Sequence, residues 1–290
     1  DGKRFGYGIL FDKDGRIVYK GNWKKNKPHG KGTCFHSNGV PFVIGVWHEG
    51  RLSGSVRVHH PEGRLSYAGD WEKYNGDGFL FHHVFGFLTY QGNFREGKPS
   101  GHGRKCRMEY SSGRLSMLEP NNVYEGNFEA GSPNGQGIRM FRWRFCFLLT
   151  KGNFVDGSCH GCGEEYFTSG DKIFFSKGDM VDDYRHGNGK LFVMDDTDFV
   201  PFHDARDLQA LYHYLNDKRK TLVYDGSFQK CYYLEGKLFY PNGNVQYEGQ
   251  FDKNEYHGYG TLYYPNQKKW VLMDPDSPRH HKIRHFSVVD

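Results

Sequence analysis

No hydrophobic run in this chain approaches the ~20 residues that a membrane-spanning helix needs. Its most apolar stretch, Phe141 to Leu149, is short and is interrupted by Arg142 and Arg144. An excess of one charge is also missing. Lys and Arg together number 39 and Asp and Glu 34, for a formal net charge of +5, which does not suit a protein that holds nucleic acid by a basic surface. Leu is scarce, and Ala68, Ala130, Ala205 and Ala210 are the only alanines, which argues against a helical protein. The six cysteines (Cys34, Cys106, Cys146, Cys159, Cys162 and Cys231) have no framework spacing and read as unpaired thiols of a reducing compartment.

Catalytic signatures are missing too. There is no Gly-x-x-x-x-Gly-Lys-Ser/Thr and no Gly-x-Ser-x-Gly, so neither a phosphate-cradling loop nor a nucleophile elbow is available. Pairs of the form Gly-x-Gly are frequent, but the third-glycine position of a dinucleotide loop holds Phe11, Phe35, Phe81, Cys106, Met140, Tyr166, Phe192 or Tyr263, which excludes that loop in every copy. Cys159-His160-Gly161-Cys162 contains a Cys-x-x-Cys without a second pair, whereas a structural zinc wants four ligands. His29, His186 and His257 each precede a Gly-x-Gly and read as architectural. The expectation is therefore no catalytic residue, no metal and no cofactor.

What is abundant is glycine, with 39 residues, and aromatic side chains, at 17%. They are periodic. An aromatic–x–Gly–x–aromatic phrase reads Tyr19-Lys20-Gly21-Asn22-Trp23, then Tyr67-Ala68-Gly69-Asp70-Trp71, Tyr90-Gln91-Gly92-Asn93-Phe94, Tyr124-Glu125-Gly126-Asn127-Phe128, Tyr224-Asp225-Gly226-Ser227-Phe228 and Tyr247-Glu248-Gly249-Gln250-Phe251. Weaker copies centre on Gly45, Gly152 and Gly178, and a Gly-x-Gly follows most copies a few residues later. Turn pairs such as Asp14-Gly15, Asn38-Gly39 and Asn242-Gly243 close many units, and Asn-Gly or Asp-Gly is the strongest short-range hairpin signal. A strand has period two, so Tyr247, Gly249 and Phe251 share one face and Glu248 and Gln250 the other. Glycine weakens a strand unless its bare backbone is used; a ring lying across it supplies the use.

These phrases closely resemble the MORN repeat, Tyr-x-Gly-x-Trp/Phe followed by Gly-x-Gly-x-Leu-x-Tyr-Pro-x-Gly. Tyr247 to Asn266 matches nearly position for position. The resemblance covers nine full units and a leading half, from Gly2 to about Asn266, with departures at Gly54/Val56 and Leu234/Gly236. It implies an all-β chain: an elongated, single-layer antiparallel β-meander solenoid of hairpins. About nineteen strands at 4.7–4.9 Å spacing would give a rod on the order of 90 Å long. The array is expected over 1–269, with a basic tail over 270–290. The chain starts at Asp1, without Met, so the natural N-terminus is expected upstream.

Within the array, Lys105, Arg139 and Glu165 stand where the last unit has Leu262, and solvation is the preferred reading for them. A long interval between Gly178 and Gly226 holds a helical candidate near 202–220, with Leu208, Leu211, Tyr212 and Leu215 at i, i+3, i+4 and i+7. Asp204 is its candidate N-cap, with Asp207 at the third position; Lys218, Arg219 and Lys220 would close it, where cations suit the helix dipole. This helix either covers the apolar face of the neighbouring sheet or serves as a partner-binding or dimerising element.

The resemblance implies a non-catalytic scaffold. Its partner, an extended or helical protein segment, would lie along the aromatic, glycine-rich face, and Tyr67, Trp71, Tyr90, Phe94, Tyr124 and Phe128 are the candidate contacts. Relatives are linked to cytoskeletal, ciliary and membrane assemblies, which implies a cytoplasmic protein associated with one of these. The alternative is a peripheral module on anionic phospholipid, using Lys24, Lys25, Lys218, Arg219, Lys220, Arg279, Lys282 and Arg284. A homodimer could form through the sheet edge or the inserted helix.

Overall fold

The computed structural model describes residues 2–71, 76–107, 110–111, 114–115, 122–143, 146–194, 207–265 and 270–273. Two compact units divide the chain: 1–107 with 125–132, and 108–124 with 133–290. The first contains β1 (Gly6–Phe11), β2 (Ile17–Lys24), β3 (Lys27–Phe35), β4 (Pro41–His48), β5 (Arg51–His59), β6 (Leu65–Asp70), β7 (Gly76–Phe81), β8 (Leu88–Arg95) and β9 (Lys98–Arg107). Each pairs antiparallel with the next in sequence. After a short hairpin of β10 (Tyr110–Ser111) and β11 (Arg114–Leu115) comes β12 (Asn122–Glu129), which pairs with β9.

The second unit holds β13 (Ser132–Trp143), β14 (Cys146–Val155), β15 (Ser158–Ser169), β16 (Lys172–Val181), β17 (Tyr184–Met194), α1 (Leu208–Asn216), β18 (Lys220–Gln229), β19 (Tyr232–Phe239), β20 (Val245–Asp252), β21 (Glu255–Tyr263) and β22 (Trp270–Met273). Its strands form the same kind of meander. The expected array of antiparallel hairpins with one short inserted helix is therefore what the chain forms. Strand pairing continues into the segment expected as a tail, because β22 pairs with β21. Arg279, Lys282 and Arg284 lie outside the described residues.

Two kinds of turn alternate. The first joins the two strands of one repeat through two residues with positive φ, such as Lys25 (50°) and Asn26 (69°), or Lys253 (48°) and Asn254 (66°). This primed geometry matches the right-handed twist of the strands. Several such turns also bond back to the preceding hairpin: Gly50 N–H donates to Pro28 O, Gly131 to Pro99 O, Gly157 to Pro133 O and Cys231 to Arg185 O, all at 2.8–2.9 Å. The second kind, at Asp12–Gly15, His36–Gly39 and Tyr240–Gly243, is the longer turn that the Asp-Gly and Asn-Gly pairs mark.

The core is a layer of rings on one face of the sheet, here called the ring face. Tyr19, Cys34, Val43, Val58, Tyr67, Leu80, Tyr90 and Lys105 lie side by side across β2 to β9. Each tyrosine folds back over the glycine two residues ahead and the glycine paired with it. A Cβ added to Gly78 would stand 2.8 Å from Tyr67 Cε2, and one added to Gly103 2.6 Å from Tyr90 Cζ. The tyrosine hydroxyl donates to the carbonyl three residues on, as in Tyr67 to Asp70 at 2.7 Å and Tyr90 to Asn93 at 2.8 Å. Edge-on rings fill the gaps, with Tyr90 meeting Phe94 at 88° and Phe128 at 85°, both at 5.1 Å. Each such pair contributes about 0.5–1.5 kcal/mol beyond the area it buries.

Helix α1 is shorter than 202–220. Asp207, expected at the third position, is instead the N-cap, and its carboxylate accepts from Ala210 N–H at 2.9 Å. Asp204 lies outside the described residues. Lys218 and Arg219 follow the helix, and Lys220 already begins β18. Leu208, Tyr212 and Leu215 are buried and Leu211 is half-buried. Tyr212 packs edge-on against Tyr166 at 6.0 Å, Tyr166 Oη donates to Asn216 Oδ1 at 3.2 Å, and Lys151 Nζ lies 3.8 Å from the Tyr212 ring centre. The stripe that could have offered a partner interface is thus used inside the chain, on the sheet face opposite the rings. Asp207→Ala is expected to cost about 1 kcal/mol. Faster amide exchange confined to Leu208–Asn216 would show it, and unchanged exchange there would contradict it.

Candidate functional site

Five of the six aromatic residues expected to touch a partner are buried in the ring layer. Tyr67, Tyr90, Phe94, Tyr124 and Phe128 are 2–4% exposed, because each tyrosine caps glycine backbone and each phenylalanine wedges between tyrosines. Burial pushes the Tyr90 hydroxyl up to about 12. Trp71 is half-buried, and its backbone N–H donates to Gly54 O at 2.9 Å. Tyr67, Tyr90, Phe94, Tyr124 and Phe128 are therefore core residues of the ring layer and not surface contacts.

The layer is interrupted in the second unit. There the cross-strand row reads Arg139, Thr150, Glu165, Ser176 and Leu191 before tyrosine resumes at Tyr224. Thr150 and Ser176 occupy the tyrosine position of their repeats. The space that a tyrosine ring takes elsewhere is filled by the Cys159 thiol, 2.7 Å from a Cβ built on Gly152, and by Met180 Cγ, 2.8 Å from one built on Gly163.

Glu165, expected to be solvated, is buried to 5% exposure. Arg185 Nε lies 3.8 Å from Glu165 Oε2, within ion-pair range but too far for a hydrogen bond. Its guanidinium sits between the rings of Phe167 (4.5 Å) and Phe228 (5.8 Å), and its buried Nε and Nη1 have no hydrogen-bond partner. Arg139 Nη2 pairs with Asp183 Oδ1 at 2.6 Å, and the same oxygen accepts from Cys159 N–H at 2.6 Å. Burial raises the Glu165 carboxyl above its ordinary value, and the Arg185 and Arg139 charges only partly offset it. Burial, with the Asp183 charge beside it, pushes the Cys159 thiol up to about 11.

Glu165, Asp183 and Arg185 border an opening of about 500 Å³ lined also by Phe141, Cys146, Phe147, Leu148, Phe167, Thr168, Tyr184 and Cys231. Its origin is strand length. β13 and β15 run 12 residues where β3 and β21 run nine, because these repeats lack the early Asn-Gly turn. The added residues put Phe141, Leu148 and Phe167 beside the polar row on the ring face. On the opposite face, α1 lies against Tyr166 and Lys151.

The arrangement offers apolar walls over a buried acid and a buried guanidinium. A protonated thiol shifted to about 11 is a poor nucleophile near neutrality, and among the described residues no three His, Cys, Asp or Glu side chains are grouped to hold a metal. The basic candidates are dispersed. Lys24 and Lys25 are exposed at a two-residue turn. Lys218 lies over the Tyr214 ring at 4.8 Å, and Arg219 is exposed. Lys220 is structural: Nζ donates to Asn216 O at 2.7 Å and faces the rings of Tyr166 and Phe175, and burial lowers its pKa. No helix among the described residues is long and apolar enough to cross a membrane.

Sequence reasoning missed this opening, although signals existed: hydroxyl residues at two tyrosine positions and the missing turn pair. In comparisons with known proteins, the family model described as MORN repeat matches residues 19–40, 90–106, 124–143, 151–172, 177–196 and 247–269. The divergent copies at Gly54/Val56 and Leu234/Gly236 fall between the matched stretches. None of the curated proteins compared gives a match.

Proposed function

We propose that this chain, which belongs to the MORN-repeat family, is a non-catalytic scaffold that seats an extended or helical protein segment on its aromatic, glycine-rich face. MORN repeats are in general scaffold modules that bind proteins or membranes. The observation that carries the finer reading is the opening over Glu165 and Arg185, where the ring layer is interrupted and Phe141, Leu148 and Phe167 are only half-buried. A partner side chain entering there gains apolar contact. The assembly it would serve is cytoskeletal, ciliary or membrane-associated, and self-association would use a sheet edge, since α1 is already packed.

A photo-reactive phenylalanine at Tyr184, exposed on the rim, is expected to yield an adduct with a discrete protein in extracts of cells that make the chain. The same probe at Tyr259, also exposed, should not, and Phe141→Ala should reduce the Tyr184 adduct severalfold. Equal labelling at both sites would sink the proposal.

The rival reading, a module on anionic phospholipid, is supported by the exposed Lys24 and Lys25. Each contributes about 1 kcal/mol near an anionic surface, screened by salt. Sedimentation with phosphatidylserine vesicles at about 150 mM salt, lost in Lys24→Glu/Lys25→Glu, would decide for it.

A further inference from the structure

The two units treat the sheet face opposite the rings differently. In the second, α1 and the Lys220 that follows it lie against Tyr166 and Phe175. Three residues before the first-strand glycine of their repeats, Leu149 and Phe175 are 0% and 7% exposed. Of the equivalent residues in the first unit, Val18 and Phe42 are 39% and 42% exposed, while Ser66 and Thr89 are half-buried. Beside Phe42 on the same face of β4 stand Ile44 (39%) and Val46 (42%), which makes an apolar ridge along the strand.

The ridge has a charge pattern. Across the strands its central row reads Ile9, Lys20, Thr33, Ile44, Arg57 and Ala68, and Val46 faces Lys31 on one side and Ser53 on the other. Lys20, Lys31 and Arg57 flank the ridge, and neither row contains an acid. In the second unit the corresponding row includes Glu164, which engages both Tyr212 of α1 and Lys177. The first unit has Thr33 at that place.

We infer that this face of the first unit, centred on Phe42, Ile44 and Val46, docks an amphipathic helix of a partner protein whose flanks are acidic. The chain itself shows which kind of element covers this face in the other unit: a short helix with Leu, Tyr and Leu at i, i+4 and i+7, whose Tyr212 meets Tyr166 and Lys151. Lys20, Lys31 and Arg57 set the sign of the flanks. A lipid surface fits less well. Interfacial elements sink ~5–10 Å into the acyl boundary, whereas Ile44 and Val46 share their cross-strand rows with the longer cations Lys20, Lys31 and Arg57. The inference is independent of the opening over Glu165, which lies in the other unit.

The test uses the full chain and a fluorescein-labelled helical peptide of about fifteen residues, with Leu, Tyr and Leu at the α1 spacing and Glu on both flanks. Its anisotropy at about 150 mM salt is expected to rise saturably with the chain. Ile44→Asp and Lys31→Glu should each weaken binding about tenfold, a change of about 1.4 kcal/mol, while both replacements sit at exposed positions and leave the melting temperature unchanged. A peptide with Lys flanks should bind Lys31→Glu better than the parent chain. Phe141→Ala should bind the acidic peptide normally, which separates this surface from the opening on the ring face. Absence of saturable binding to the parent chain, or equal binding to Ile44→Asp, would overturn the inference. So would Ile44-dependent uptake onto phosphatidylserine vesicles that the peptide fails to displace, which would assign the face to lipid.

Discussion

Gly103→Ala is expected to destabilise the first unit by about 3 kcal/mol, at the upper end of what overpacking a core costs. The added Cβ would stand 2.6 Å from Tyr90 Cζ and 2.7 Å from Tyr90 Cε2, so the ring must leave its seat. Leaving also breaks the 2.8 Å bond to Asn93 O and the edge-on contacts with Phe94 and Phe128. The control is Gly39→Ala, where a Cβ meets nothing within 4 Å; there only the positive φ of 84° opposes a side chain, at about 1–2 kcal/mol. A sharper comparison places Gly103→Ala in a Tyr90→Ser background, since Ser176 holds the same repeat position naturally. With the ring gone, the added cost of the alanine should fall below about 1 kcal/mol, leaving a coupling of about 2 kcal/mol. Urea unfolding followed by circular dichroism gives all the numbers. Additive effects of the two substitutions would mean that ring and glycine do not need each other.

Arg185→Met is expected to cost more, about 3–5 kcal/mol, because it leaves Glu165 buried without its nearest cation. Adding Glu165→Leu should recover most of the loss, since replacing both charges by apolar groups of similar size is often neutral. The pH dependence has a definite sign. The folded-state pKa of Glu165 is raised above 4.5, chiefly by burial, so the folded chain holds that proton more tightly than the unfolded chain. Its contribution favours folding below pH 4.5 and is lost as pH rises through the folded-state value. Arg185→Met removes an offsetting charge, so its defect should be largest near neutrality and shrink on acidification. Hydrogen exchange across β14–β17 as a function of pH reads this directly. A defect that does not change with pH would show that Glu165 is not the group responsible.

How far the sequence reaches is clearest at particular residues. Tyr90, Gly92 and Phe94 announce a strand with one aromatic face, and period two suffices to place them together. What period two does not tell is whether that face is wet. The tyrosine ring folds over its own strand and hydrogen-bonds a carbonyl three residues on, so the layer covers itself, and the residues expected as contacts are core. Glu165 fails for a different reason. Its partner Arg185 belongs to the following hairpin, and a charge in a strand looks solvated until the cross-strand neighbours are known. At α1 the amphipathic stripe is plain, but two aspartates compete for the cap, and the stripe's destination depends on an exposed sheet face that only packing reveals. The two-residue turns are hard to read because many carry Lys, Asp, Cys or Asn at positive φ instead of the expected glycine.

Those turns give the two borders of each meander different histories. On one border most of the described repeats make the same two-residue reversal, β6 and β7 being joined instead by residues 71–75, and several of these turns hand a hydrogen bond to the hairpin before, so an extra residue between Asp156 and Gly157 would break a link that neighbouring repeats share. On the other border the connection ranges from the short reversal around Gly39 to the whole stretch between Met194 and Lys220, helix included. The long insertions lie there, after β9 and β17. Related arrays should therefore differ in length far more along this border than along the other, and a foreign segment spliced at Asn38–Gly39 or Asn242–Gly243 should be carried without disturbing the rings.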